Sequence, residues 1–141
     1  MNEFDKTFVE LNIGDRAEFT KEILQDTIKK FAEFSEDKNP LHTDYEYAKN
    51  TVFGGVVAHG MIIGALFSRL IGMYLPGKYS LYLRQVLNFH AAITPDTKVL
   101  ISGEIIKKTP GLNLITLNLR ATDNETQVLY VEGEALVKVL K

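Results

Sequence analysis

Asp37, Asn39, Pro40 and His42 lie within six residues, and together they could handle a water molecule. An acid stands five residues before an imidazole, and Pro40 removes backbone freedom between them. Such a pair can take a proton from water and return one elsewhere, which contributes roughly 10²–10⁴-fold in rate when both groups are positioned. Asp37 falls near the end of a predicted helix, where the macrodipole disfavours negative charge. Phe31 and Phe34 are expected to give it apolar surroundings, which would make its carboxylate a stronger base. The alternative is a helix-ending turn of Asp37 and Asn39 with His42 in an ordinary loop, and spacing alone favours it, since Asp and Asn are common turn residues.

A second cluster, Val57-Ala-His-Gly-Met61, opens an apolar stretch some fifteen residues later. A glycine at a helix start leaves a backbone N–H uncovered at the positive end of the dipole. Gly60 could therefore donate to a developing oxyanion, or could serve close packing alone. His59 is a candidate second imidazole, though it reads better as a local capping or packing residue. A metal site of Asp37, His42, Asp44 and His59 is conceivable, but no compact ligand motif is present, so no metal is expected. Gln85 interrupts an apolar row and is either a hydrogen-bonded core residue or one that lines a site.

These groups need a frame. Val9, Leu11 and Ile13 alternate, and Ala17 and Phe19 resume the row, which predicts an N-terminal strand or hairpin. Thr20 can cap a helix carrying Leu24, Ile28 and Phe31, which Pro40 should stop around Asp37. Thr43 or Asp44 can cap a short helix through Ala48. From Gly60 to Tyr74 a helix is apolar on most of its circumference, with Arg69 its only charge, and is expected to be central and buried. Gly60, Gly64, Ser68 and Gly72 give it a stripe of small residues. Four alternating segments follow, with rows at Leu81/Leu83/Leu87/Phe89, Val99/Ile101/Ile105, Ile115/Leu117/Leu119 and Leu129/Val131/Ala135/Val137. A strand, a long helix and four consecutive strands predict an α+β fold, a mostly antiparallel sheet curved around a helix. Its free edges make a dimer a reasonable expectation.

At 141 residues the chain is expected to form one domain, residues 1–141, without staples. A net charge of −2 gives no electrostatic case for nucleic acid or an anionic membrane. Cysteine is absent, which removes thiolate nucleophiles and cysteine-based metal sites. Neither a signal peptide nor a membrane-spanning run is apparent, so a cytoplasmic location is expected.

Around these residues the sequence resembles the (R)-specific enoyl-CoA hydratases of the MaoC-like dehydratase family. The matching pieces are Phe34-Ser-Glu-Asp-Lys-Asn-Pro-Leu-His42, Ala58-His-Gly-Met61, Leu66-Phe-Ser68, Leu75-Pro-Gly77 and Tyr82-Leu-Arg-Gln-Val-Leu-Asn-Phe89. The resemblance implies a hotdog fold. It also implies reversible addition of water to a trans-2-enoyl-CoA, giving an (R)-3-hydroxyacyl-CoA. Asp37 and His42 match the family's catalytic pair, Gly60 the residue whose N–H meets the thioester carbonyl, and Ser68 a serine that supports the aspartate; Asn39 belongs to the same string. It implies no cofactor beyond the coenzyme A carried by the substrate, an acyl-CoA as small-molecule partner, and a homodimer. Many members have Gly where Glu36 stands, and the family's usual continuation after Phe89 is replaced by His90-Ala-Ala-Ile-Thr-Pro-Asp96. Two rival readings stay open: a dehydratase acting on acyl-carrier-protein or another dedicated thioester, and a non-catalytic acyl-CoA-binding domain.

Overall fold

The computed structural model describes residues 4–141. Its sheet is antiparallel throughout, built from β1 (Arg16–Ile23), β4 (Thr97–Thr109), β5 (Leu114–Asp123), β6 (Leu129–Val139) and β2 (Ser80–Gln85), in that spatial order. A two-residue β3 (Asn88–Phe89) also pairs with β6. Four helices, α1 (Gln25–Ser35), α2 (Pro40–Thr43), α3 (Tyr45–Ala48) and α4 (Met61–Met73), fall between β1 and β2.

The expected alternation holds on the three long strands. Val99, Ile101 and Ile105 of β4, Ile115, Leu117 and Leu119 of β5, and Val131, Ala135 and Val137 of β6 all face the core. Opposite them α4 buries Ile62, Ile63, Phe67, Leu70 and Ile71. Gly103 sits in the β4 row where another large residue would be expected. A Cβ there would lie 2.7 Å from Leu119 Cδ2 and 2.8 Å from Leu70 Cδ2, so the missing side chain lets α4 settle onto the sheet. The β5–β6 turn is pinned by Asp123, which accepts from the N–H groups of Glu125 and Thr126 and from the Tyr130 hydroxyl. Those donors hold its carboxyl down to about 2.

Four sequence expectations are corrected. The Val9–Ile13 alternation is not a strand: Phe8–Glu10 is a single 3₁₀ turn. Glu10 closes that turn by accepting from the N–H and hydroxyl of Thr7, while Val9 and Ile13 point to solvent. Thr20 lies inside β1, and α1 starts after Leu24 instead. The helix α4 is buried on one face only, with Met61, Ala65, Ser68 and Arg69 exposed on the other. On β2 the predicted inward row is turned out: Leu81 and Leu83 are about half exposed, and Tyr82 packs against the core. Gln85 is hydrogen-bonded but only half-buried, so it is not the core residue of its first reading. It accepts from the Tyr82 hydroxyl and donates to the Val86 carbonyl.

Candidate active site

The turn after α1 is built almost wholly from polar side chains bonded to backbone. Ser35 Oγ donates to the Phe31 carbonyl and accepts the Asp37 N–H. Asp37 Oδ1 accepts the Asn39 N–H at 3.2 Å, and Asn39 Oδ1 accepts the Leu41 N–H at 2.9 Å as the cap of α2. Pro40 occupies the first helical position, where a missing N–H costs nothing. Between these contacts Glu36 closes α1 at φ 60°, ψ 10°, a left-handed conformation that glycine adopts more readily. That geometry suits the glycine that the resemblance implies for many family members at this position. It also turns the chain so that Asp37 leaves the helix axis.

His42 sits in the last turn of α2, and its Nδ1 lies 2.7 Å from the Val57 carbonyl. A carbonyl only accepts, so Nδ1 carries hydrogen, and in that tautomer the ring's lone pair is on Nε2. The Val57 N–H in turn donates to the Leu41 carbonyl. His59, two residues on, is 2% exposed and donates from Nε2 to the Asp37 carbonyl at 2.9 Å. Its ring stacks on His42 with centroids 3.9 Å apart and planes 28° from parallel, and Phe31 packs against it at 4.8 Å. Its Nδ1 is buried without a partner among the described residues. An unmet buried polar atom costs about 1–3 kcal/mol.

Gly60 immediately precedes α4, and its N–H meets no acceptor among the described residues. The Phe89 ring lies against it: a Cβ at Gly60 would come within 2.6 Å of Phe89 Cε1. Gly60 and Phe89 line one cleft of about 370 Å³ with Phe53, Ala58, His90 and Ile93. A second cleft, also about 370 Å³, is lined by His42, Thr43, Ala32, Lys29 and Lys38. Asp37 and His42 are brought within 4.8 Å of each other, while Gly60 lines the other cleft and is joined to them through residues 57–60. Ser68 is not brought to them; it lies on the exposed face of α4 with no hydrogen bond to Asp37. Phe34 is 88% exposed and gives Asp37, itself exposed, no apolar wall.

Ligand atoms of Asp37, His42 and His59 lie within 4.8 Å of one another, yet the set does not suit a chelated ion. His42 Nδ1 and His59 Nε2 are held on carbonyls. The nitrogens left over belong to stacked rings, whose lone pairs lie in nearly parallel planes and cannot converge on one centre. Asp44 is engaged elsewhere, as the cap of α3 accepting the Tyr47 N–H. The His42–His59 stack and the contact of Phe89 on Gly60 had no signal in residue spacing, because both join segments distant in sequence.

Comparison with known proteins follows the same residues. The family model for the MaoC like domain matches residues 9–124. This chain belongs to the MaoC-like family. A curated (R)-specific enoyl-CoA hydratase of Aeromonas caviae is 36% identical over 129 residues, covering 92% of this chain and 96% of that protein. A 3-hydroxybutyryl-CoA dehydratase of Methylorubrum extorquens is 34% identical, over 95% and 84% respectively. The solved A. caviae (R)-hydratase superposes on this MaoC-like chain with a TM-score of 0.88, at 36% identity over 92% of this chain and 97% of that one. An R-hydratase of Pseudomonas aeruginosa gives 0.89, at 34% identity over 94% and 84%. The hotdog fold is therefore that of this MaoC-like chain, its sheet wrapped around α4.

Proposed function

We propose that this protein is a hydro-lyase that adds water reversibly to a trans-2-enoyl thioester of coenzyme A, giving the (R)-3-hydroxyacyl-CoA. The observation that carries the reading is that a carboxylate oxygen of Asp37 and a ring nitrogen of His42 lie within 4.8 Å, with Nδ1 of His42 held on Val57 and Nε2 left for a water molecule. The thioester carbonyl accepts from the Gly60 N–H, where charge builds as the enolate forms. Water is oriented by Asp37 and His42, gives a proton to Asp37, and adds as hydroxide at C3. The pair then returns a proton to C2, so the net change is one water molecule across the double bond. Asn39 supports Asp37 through its backbone N–H. A supporting part for Ser68 rests on the family resemblance alone. Coenzyme A arrives as part of the substrate, and no step calls for another cofactor.

A homodimer belongs to the same reading. Leu81 and Leu83 on the edge strand β2, and Val86, Phe89 and Met61, are exposed apolar residues, and a second copy pairing at that edge would cover the first two.

Purified protein should hydrate crotonyl-CoA, followed by loss of absorbance of the conjugated thioester. Asp37→Asn and His42→Ala should each lower kcat by about 10²–10⁴-fold and change KM far less. Unchanged turnover in Asp37→Asn would remove the mechanism; acyl-CoA binding with no turnover in the wild type would favour a non-catalytic domain. A phosphate-bearing arm fits either carrier, since Lys29 and Lys38 line the cleft at His42 and neither is ion-paired among the described residues. Competition between crotonyl-CoA and crotonyl-acyl-carrier-protein decides between carriers.

A further inference from the structure

His59 is the one buried polar residue among those described, and the mechanism above gives it no task. Two of its contacts reach the two groups that do have one. Through Nε2–H it holds the Asp37 carbonyl, and with its ring face it lies under His42. A glutamine could supply that donor without a ring, and a phenylalanine could supply a ring without the donor. Imidazole supplies both, and it leaves Nδ1 bare in the core as a consequence. A side chain serving only to fill space would not place an unpartnered nitrogen there. His59 also lies between Val57, whose carbonyl holds His42, and Gly60, whose N–H is free for substrate. Residues 57–60 therefore hold His42 through a carbonyl, hold the Asp37 backbone through a ring, and carry the free Gly60 N–H, all within one short stretch.

We propose that His59 is a positioning residue, one imidazole that fixes Asp37 and His42 relative to each other by a hydrogen bond to the first and a stack on the second. The role rests on the hydration activity proposed above. Without that bond as a strap, the turn of Asp37 is tied among the described residues only by near neighbours in sequence, through Ser35, Asn39 and the Thr43 hydroxyl. A displacement of about 1 Å in such a group can cost about 10²-fold in rate.

The test compares the wild type with His59→Phe and His59→Gln in crotonyl-CoA hydration, with thermal melts and the ring-nitrogen NMR shifts of His59. In the wild type Nε2 should carry hydrogen and Nδ1 should not. His59→Phe should lose about 100-fold in kcat while KM stays within about threefold. His59→Gln, which restores a donor near the Nε2 position, should recover most of that loss. Three results would each overturn the role: hydrogen on Nδ1 instead of Nε2, His59→Phe turning over like the wild type, or His59→Gln as impaired as a His59→Phe protein that melts early. A His59→Phe protein that fails to fold leaves the decision to His59→Gln: near-wild-type kcat supports the strap and a 100-fold loss sinks it. No hydration by the wild type overturns the proposed function instead, and the ring-nitrogen signature then still decides whether the strap to Asp37 exists.

Discussion

The turn that carries Asp37 and His42 and the face between α4 and the sheet are held by opposite means. On the α4 face, Phe67, Leu70 and Ile71 meet the strand rows with no exposed surface to speak of. In the turn, Asp37, Lys38 and Asn39 are all exposed, and short bonds from Ser35, Asp37 and Asn39 to backbone N–H groups fix the path. Stability scales with apolar area removed from water, so it resides mainly in the first region. Placement of reacting atoms depends on directional bonds, which the second supplies. Activity and stability should therefore be separable by mutation.

The sharpest contrast is Phe67→Ala against Asp37→Asn. Truncating Phe67 should cost about 3–5 kcal/mol of unfolding free energy, measured by urea titration. Asp37→Asn should leave the urea midpoint nearly unchanged while abolishing most turnover. Similar midpoint losses in both would erase the division. A smaller effect is expected at the cap between the regions. Asn39→Ala removes the acceptor for the Leu41 N–H and should cost about 1 kcal/mol in stability. Because α2 carries His42, kcat should fall as well, so a pure stability loss would show that α2 is placed from Val57 alone. The smallest change is Glu36→Gly, which relieves the left-handed φ of 60°. Stability should rise by up to about 1 kcal/mol with activity retained. A lower midpoint would mean that the Glu36 side chain contributes more than the turn strains it.

The two regions also differed in how far they could be read from sequence. Rows such as Ile115/Leu117/Leu119 marked their strands because a period of two over several residues has few other uses. The same rule failed at Val9–Ile13, where the Thr7–Glu10 bonds close a turn before any strand can pair. It also misassigned β2, since alternation says that a strand has two faces but not which one meets the core. In the site, Asp37, Pro40 and His42 stood out by type and spacing. His59 was visible as a second imidazole and read as packing, but its contacts were not, because its partners are 17 and 22 residues away and only the folded chain brings their atoms together.

The peptide at Val57 gives its N–H to Leu41 and its carbonyl to His42, three residues before Gly60. Any opening that lifts the start of α4 must release His42 at the same moment, and Asp37 with it through His59. The site would then breathe as one cooperative unit, reported by hydrogen exchange at the Val57 amide, whose bond to the Leu41 carbonyl breaks in that opening.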